Sequence, residues 1–174
     1  MIKEMTIHNL KDVNKPNQAF EIIGRIIPVF AEGVWSFTES LYEKAYEKRY
    51  PDDAVQWEEY IDNANQAIFF YYDNNDCVGQ VRIRKNWNKY AFIEDIAVAK
   101  NYREKGIGAK LMQRAVEWAK ENHLCGLMLE TQDNNLKACR FYHRLGFQLG
   151  AVDTMLYANF GNSDENAVFW YLVF

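Results

Sequence analysis

The chain has 174 residues, of which 49% are hydrophobic, 16% aromatic and 25% charged, with a formal net charge of −4. That length and core content predict one globular domain, 1–174, and exclude a disordered or low-complexity chain. The negative balance and lack of a basic block exclude nucleic acid as a partner, since binding phosphates needs a basic face.

In the first 60 residues the signals are mixed. Phe20 to Phe30 suits a strand or a short helix, although Pro28 opposes a helix through it. Asp52-Asp53 ahead of Val55, Trp57, Tyr60 and Ile61 suggests a capped acidic helix. Gln66 to Tyr72 is an apolar strand ending at the turn Asp73-Asn74-Asn75-Asp76. Cys77 to Arg84 alternates, with Val78, Gln80, Arg82 and Arg84 opposite Gly79, Val81 and Ile83, and completes a hairpin with a four-residue turn. After a second turn at Asn86-Trp87-Asn88-Lys89, Tyr90 to Val98 is a central strand. Leu111, Met112, Ala115, Val116 and Ala119 then mark an amphipathic helix running to about Asn122. Leu124 to Thr131 is a buried strand. Asn135 to Arg144 is a helix stopped by Gly146. Phe147 to Tyr157 and Val168 to Phe174 are closing strands. This alternation predicts an α/β domain with a mixed sheet.

Cys77, Cys125 and Cys139 are isolated, odd in number and unclustered with the three histidines, so disulfide scaffolds and metal sites are excluded and buried thiols are expected. No apolar run approaches the ~20 residues that cross a bilayer. The start, Met1-Ile2-Lys3-Glu4-Met5, lacks an apolar stretch and a cleavage site, so a cytoplasmic protein with no membrane partner is expected. Charge is uneven: no Lys or Arg occurs from Pro51 to Val81 or from Leu145 to Phe174. The first stretch carries Asp52, Asp53, Glu58, Glu59, Asp62, Asp73 and Asp76, which make either a solvated acidic face or a field that attracts a polycation.

The chemistry concentrates where the central strand ends. Ile96-Ala97-Val98 leads through a short loop into Arg103-Glu104-Lys105-Gly106-Ile107-Gly108-Ala109, where a helix opens on Arg-x-x-Gly-x-Gly. Free amides at a helix start favour an anion, and glycines let a ligand approach the backbone. A third glycine is missing at Leu111 and no Gly-Lys-Ser/Thr follows, so neither a dinucleotide fingerprint nor a Walker loop is present. After the next strand comes Asn135-x-x-Ala138-x-x-Phe141-Tyr142-x-x-x-Gly146-Phe147.

This pair of motifs, in this order and spacing, resembles the GNAT superfamily of N-acetyltransferases over Ala67 to Phe174. The resemblance implies a GNAT fold, with a mixed, mostly antiparallel sheet of about 6–7 strands flanked by about four helices. It implies that acetyl-CoA pyrophosphate rests on the backbone from Arg103 to Ala109 and that pantetheine pairs with Ile96, Ala97 and Val98. Asn135, Ala138 and Tyr142 would lie beside the pantetheine and thioester. Further stretches, among them Ile93-Glu94-Asp95-Ile96-Ala97-Val98, Leu129-Glu130-Thr131-Gln132-Asp133-Asn134 and Val152-Asp153-Thr154-Met155-Leu156-Tyr157, resemble streptothricin acetyltransferases. That likeness implies a cationic small-molecule acceptor carrying a β-lysine amine. A homodimer is compatible with these features.

An alkyl amine with a pKa near ~10 must lose a proton before attacking a thioester. Glu94 and Asp95 are the candidate bases; period two places them on opposite faces of the strand unless a bulge re-aims one. Tyr142 matches the family position of the acid for the departing thiolate. Glu130, Asp133 and Asp153 are candidate partners for substrate ammonium groups, and Trp35, Phe37 and Tyr42 candidate walls. Each of these also has a purely structural reading, as a salt bridge or core side chain. Direct transfer needs no acyl-enzyme, so Cys139 is no nucleophile. A polyamine or protein-lysine acetyltransferase and a non-catalytic acetyl-CoA sensor are the alternatives.

Overall fold

The computed structural model describes residues 1–161 and 164–174. Its strands are β1 (Ile2–Glu4), β2 (Phe20–Ala31), β3 (Val34–Lys48), β4 (Gln66–Asp73), β5 (Asp76–Lys85), β6 (Ala91–Val98), β7 (Gly126–Gln132), β8 (Gln148–Asp153) and β9 (Ala167–Val173). Its α-helices among the described residues are α1 (Ile107–Glu121) and α2 (Leu136–Arg144). Seven strands form a mixed sheet in the order β1-β4-β5-β6-β7-β9-β8, and β2 pairs with β3 in a separate ribbon. Two compact units result: Met1–Phe20 with Arg49–Leu127, and Glu21–Lys48 with Met128–Phe174.

In the first unit β1, β4, β5 and β6 are successive antiparallel neighbours. The turn between β4 and β5 is two residues long, not four: Asn74 and Asn75 have φ of 47° and 74°, the left-handed pair that a tight hairpin with native twist requires. Gly79 lets α1 lie close on one face of β5, because a Cβ there would stand 3.0 Å from the side chains of Ile107 and Leu111. Phe69 of β4 meets Arg114 of α1, while Ile68 and Phe70 join a core with Met5, Tyr60 and Cys77. β4 is therefore apolar on both faces because each has its own cover.

The second unit buries Trp170, Phe147, Leu129, Leu136 and Cys139. Gly24 of β2 bridges Asn135 at the start of α2, and the Ile26 amide donates to the Asp133 carbonyl at 2.9 Å.

Several expectations are corrected. About four helices were expected, and two α-helices are present among the described residues. The acidic segment forms only a 3-10 turn, Trp57–Tyr60. Its Asp52 is engaged by Asn17 and Arg49, and Asp53 by Arg82, so neither caps a helix. Phe20 to Phe30 resolves as a strand, whose partner β3 was not expected. The strand from Phe147 stops at Asp153, whose Oδ1 accepts the amides of Met155 (2.8 Å) and Leu156 (3.0 Å) and turns the chain. Cys77 and Cys139 are buried as expected, but Cys125 is exposed. No helix among the described residues is long and apolar enough to cross a membrane.

Candidate active site

In the first unit β6 runs out at Val98, and a 3-10 turn, Lys100–Tyr102, leads to the opening of α1. Glu104 and Gly106 both have positive φ, 62° and 79°, and swing the chain into the helix. The first bond of α1 runs from the Lys110 amide to the Gly106 carbonyl at 3.1 Å. The amides of Ile107, Gly108 and Ala109 lie in the first turn, where a helix has donors but no internal acceptors. A Cβ at Gly106 would meet nothing within 4 Å. Backbone donors, open space and the positive end of a 15-residue helix together make an anion cradle.

The Arg103 side chain turns its donors to backbone carbonyls. Its Nε donates to the Val98 carbonyl at 2.9 Å, Nη1 to Ala19 at 2.8 Å and Nη2 to Gln18 at 3.0 Å. Its guanidinium clamps the end of β6 to the 18–19 segment. Lys105 stays exposed, its Nζ 5.2 Å from the Tyr102 ring centre.

The two carboxylates of β6 share a face, against the alternation read from the sequence. Arg82 pairs with Asp95 and Ile83 with Ile93, so Glu94 is the extra residue of a bulge. The bulge breaks the two-residue period and aims both side chains at the Gln80, Arg82 and Arg84 face. Glu94 accepts from Tyr60 Oη at 2.7 Å and Arg84 Nε at 3.1 Å, with Arg82 Nε at 3.5 Å. Asp95 accepts from Gln80 Nε2 at 2.6 Å, and burial holds its carboxyl above the usual range. Gln80 in turn accepts the Asn14 amide and donates to the Asn14 side chain.

In the second unit Asn135 caps α2, its Oδ1 accepting the Ala138 amide at 3.3 Å. Tyr142 is buried, with ring centres of Phe141, Phe147 and Trp170 at 5.4, 5.8 and 6.5 Å. Cys139 is buried beside it, and burial pushes its thiol up to about 12, far from thiolate chemistry at neutral pH.

The remaining candidates separate by their partners. Asp133 accepts from Arg25 Nη2 at 2.7 Å and from the Asn166 amide and side chain, so it is a structural ion pair. Asp153 caps its turn. Phe37 packs edge-on against His143 and Trp170, Trp35 against Phe30, and Tyr42 stacks on Tyr46. Glu130 differs: its partner is the Tyr157 hydroxyl, no cation pairs with it among the described residues, and burial pushes its carboxyl up to about 7. Tyr157 falls in one of the stretches that resemble streptothricin acetyltransferases, but no role was assigned to it in the sequence, where it sits at the end of an expected strand.

The sequence profile of the "Acetyltransferase (GNAT) family" matches residues 31–147. The chain is 55% identical over 174 residues, all of both chains, to streptothricin acetyltransferase A of Bacillus subtilis (strain 168). It is 31% identical to streptothricin acetyltransferase of Escherichia coli over 95% of this chain and 83% of the other. A crystal structure described as a streptothricin acetyltransferase from Bacillus anthracis str. Ames, in complex with acetyl coenzyme A, superposes with a TM-score of 0.92 at 38% identity, covering 100% of this chain and 98% of that one. A nourseothricin acetyltransferase structure superposes with a TM-score of 0.82 at 25% identity, covering 99% and 97%. By the family match and by full-length identity, this chain belongs to the acetyltransferase (GNAT) family and is an acetyltransferase.

Proposed function

We propose that the chain, acting as a single catalytic domain in the cytoplasm, transfers acetyl from acetyl-CoA to the β-lysine amine of streptothricin and so inactivates the antibiotic. The observation that carries this reading is the end-to-end identity of 55% to the Bacillus subtilis enzyme. Acetyl-CoA bound in the Bacillus anthracis structure supports the donor. The first-turn amides of Ile107, Gly108 and Ala109 would carry the pyrophosphate, and the backbone of Ile96, Ala97 and Val98 the pantetheine.

In the reaction the acceptor ammonium gives up one proton, its nitrogen bonds to the acetyl carbon, the C–S bond breaks with the electron pair leaving on sulfur, and the nitrogen loses its second proton as the amide forms, so that overall one proton ends on the thiolate and one in solvent. Asp95 is the better acceptor of that proton. Its burial destabilises the carboxylate and so raises its basicity. Glu94, by contrast, already accepts hydrogen bonds from Tyr60 and Arg84 and has the Arg82 guanidinium 3.5 Å away. Tyr142 would return a proton to the departing thiolate. Direct transfer requires sequential kinetics with no acetyl-enzyme.

Thiol release from acetyl-CoA should be measured with streptothricin, spermidine and free lysine side by side. Streptothricin should turn over fastest, with one acetyl added by mass; preference for spermidine or lysine would overturn the antibiotic assignment. Gly106→Glu fills the open space with a negative side chain, so acetyl-CoA should no longer raise its melting temperature. Normal stabilisation of that variant would overturn the cradle.

A further inference from the structure

Among the described residues of the second unit, Glu130 is a half-buried carboxylate with no cation paired to it. Asp133 has Arg25, and Glu165 has Lys48 at 2.6 Å. Glu130, on β7, has the Tyr157 hydroxyl. A charge taken out of water without a partner is costly and is normally either paired or neutralised. A neutral hydroxyl does not offset that cost as a cation would.

Tyr157 reaches Glu130 from a segment built to turn. Asp153 caps its start, the Ala158 amide donates to the Met155 carbonyl at 3.1 Å, and the Phe160 amide to Tyr157 at 3.0 Å. The same segment exposes Met155 and Phe160, 72% and 67% accessible. These apolar side chains have no core to join on this face, so the segment's hold on the protein includes the Tyr157 bond.

We propose that Glu130 is the counter-ion for an ammonium group of the acceptor, and that the Tyr157 hydroxyl occupies its place until the acceptor arrives. The proposal rests on the reading of this chain as an amine acetyltransferase. The acceptor brings its own positive charge, so Glu130 must be ionised in the complex. Near neutral pH burial holds its carboxyl partly protonated, and no charged group among the described residues offsets that influence. Binding therefore expels a proton from Glu130 to solvent, at most one for each acceptor bound, while the ammonium keeps its own. The Tyr157 hydroxyl gives up its bond and the 154–160 segment is released from β7.

The test is calorimetric titration of streptothricin into the CoA-saturated protein near pH 6.5, in two buffers of different ionisation enthalpy. Wild type should release a measurable fraction of a proton. Glu130→Gln should release less and bind about tenfold or more weakly, as expected for losing a charge-assisted contact. Tyr157→Phe should bind several-fold more tightly, since the competing hydroxyl is gone; a Glu130 holding only a structural bond to Tyr157 predicts weaker or equal binding instead. CoA affinity should be the same in all three. Wild-type affinity and proton count in Glu130→Gln overturn the proposal, as does unchanged or weaker binding by Tyr157→Phe. Should Glu130→Gln not fold, the wild-type proton count and Tyr157→Phe decide alone. Acetyl transfer separates this proposal from the substrate reading. If spermidine replaces streptothricin as the wild-type acceptor and Glu130→Gln loses affinity for it, Glu130 stands and the antibiotic falls. If Glu130→Gln acetylates streptothricin at the wild-type KM, the reverse holds. No turnover with either acceptor overturns both.

Discussion

Glu94 and Glu130 are both strand glutamates in acidic sequence company, and their surroundings differ in kind. Glu94, in the first unit, receives Tyr60, Arg84 and Arg82, and Arg82 is itself shared with Asp53. Glu130, in the second, is half-buried and has the Tyr157 hydroxyl, with no cation paired to it among the described residues. A carboxylate that already holds its cations can only lose by exchanging them. One that holds none is available to a ligand. The contrast separates acidic residues held in ion pairs from those that are not, which the negative charge of the chain alone does not do.

The largest effect that could break this comparison lies beside Glu94. Asp95→Asn should lower kcat by roughly 10²–10⁴, the usual contribution of a general base. The loss should shrink at high pH, where the acceptor amine is free without help. Glu94→Gln should change kcat by less than about fivefold, well under a general base's usual share. A pH–rate profile of both variants decides it: rescue at high pH in Glu94→Gln and not in Asp95→Asn would make the ion-paired residue the base.

A smaller effect sharpens the structural side. Arg82 has a mostly buried side chain, 10% accessible, and depends on Asp53 and Glu94 for compensation. Glu94→Gln removes one of its two anions and leaves a hydrogen-bonding amide, so the expected cost is about 1–2 kcal/mol. Over a chain of this size that lowers the melting temperature by roughly 2–8 °C. An unchanged melting temperature would free Glu94 from the role of an Arg82 partner.

Some of this was legible in the sequence and some was not, for identifiable reasons. The segment from Ile96 to Ala109 carries local signals, namely strand, glycines and a helical period, and each is a property of neighbouring residues. The expectation of an anion cradle followed from them. The bulge at Glu94 does not announce itself, because it is a relation between two strands: Ile93 and Asp95 pair with the adjacent residues Ile83 and Arg82. Strict alternation therefore puts Glu94 and Asp95 on opposite faces, and the strand instead contains the bulge that the sequence left open as the exception. Arg103 reads as a phosphate ligand by position, yet each of its three nitrogens donates to a carbonyl, supplied by Val98 and by residues 18–19, the latter some 84 positions away. Glu130 could be nominated as a carboxylate, but its isolation could not, since that depends on which cations fold elsewhere. Long-range pairing also hid β3, a 15-residue strand with few buried positions and so no strong apolar period.

The finest test of the comparison uses stability alone and needs no acceptor. Burial moves Glu130 from an ordinary carboxyl value of 4.5 to about 7. Below 4.5 both folded and unfolded chains hold the proton, and the residue costs nothing. Between 4.5 and 7 the unfolded chain ionises while the folded one keeps its proton, so stability falls as pH rises. Above 7 the folded carboxylate is ionised as well, and the cost is constant at up to about 3 kcal/mol. Gln has nearly the same shape and never ionises. Glu130→Gln should therefore match wild type in melting temperature at pH 4.5 and exceed it by several degrees at pH 8. Glu94→Gln, losing a cation partner, should fall below wild type at pH 8. If Glu130→Gln is instead destabilised at pH 8, a cation does sit with Glu130 in the folded chain, and the two glutamates are alike after all.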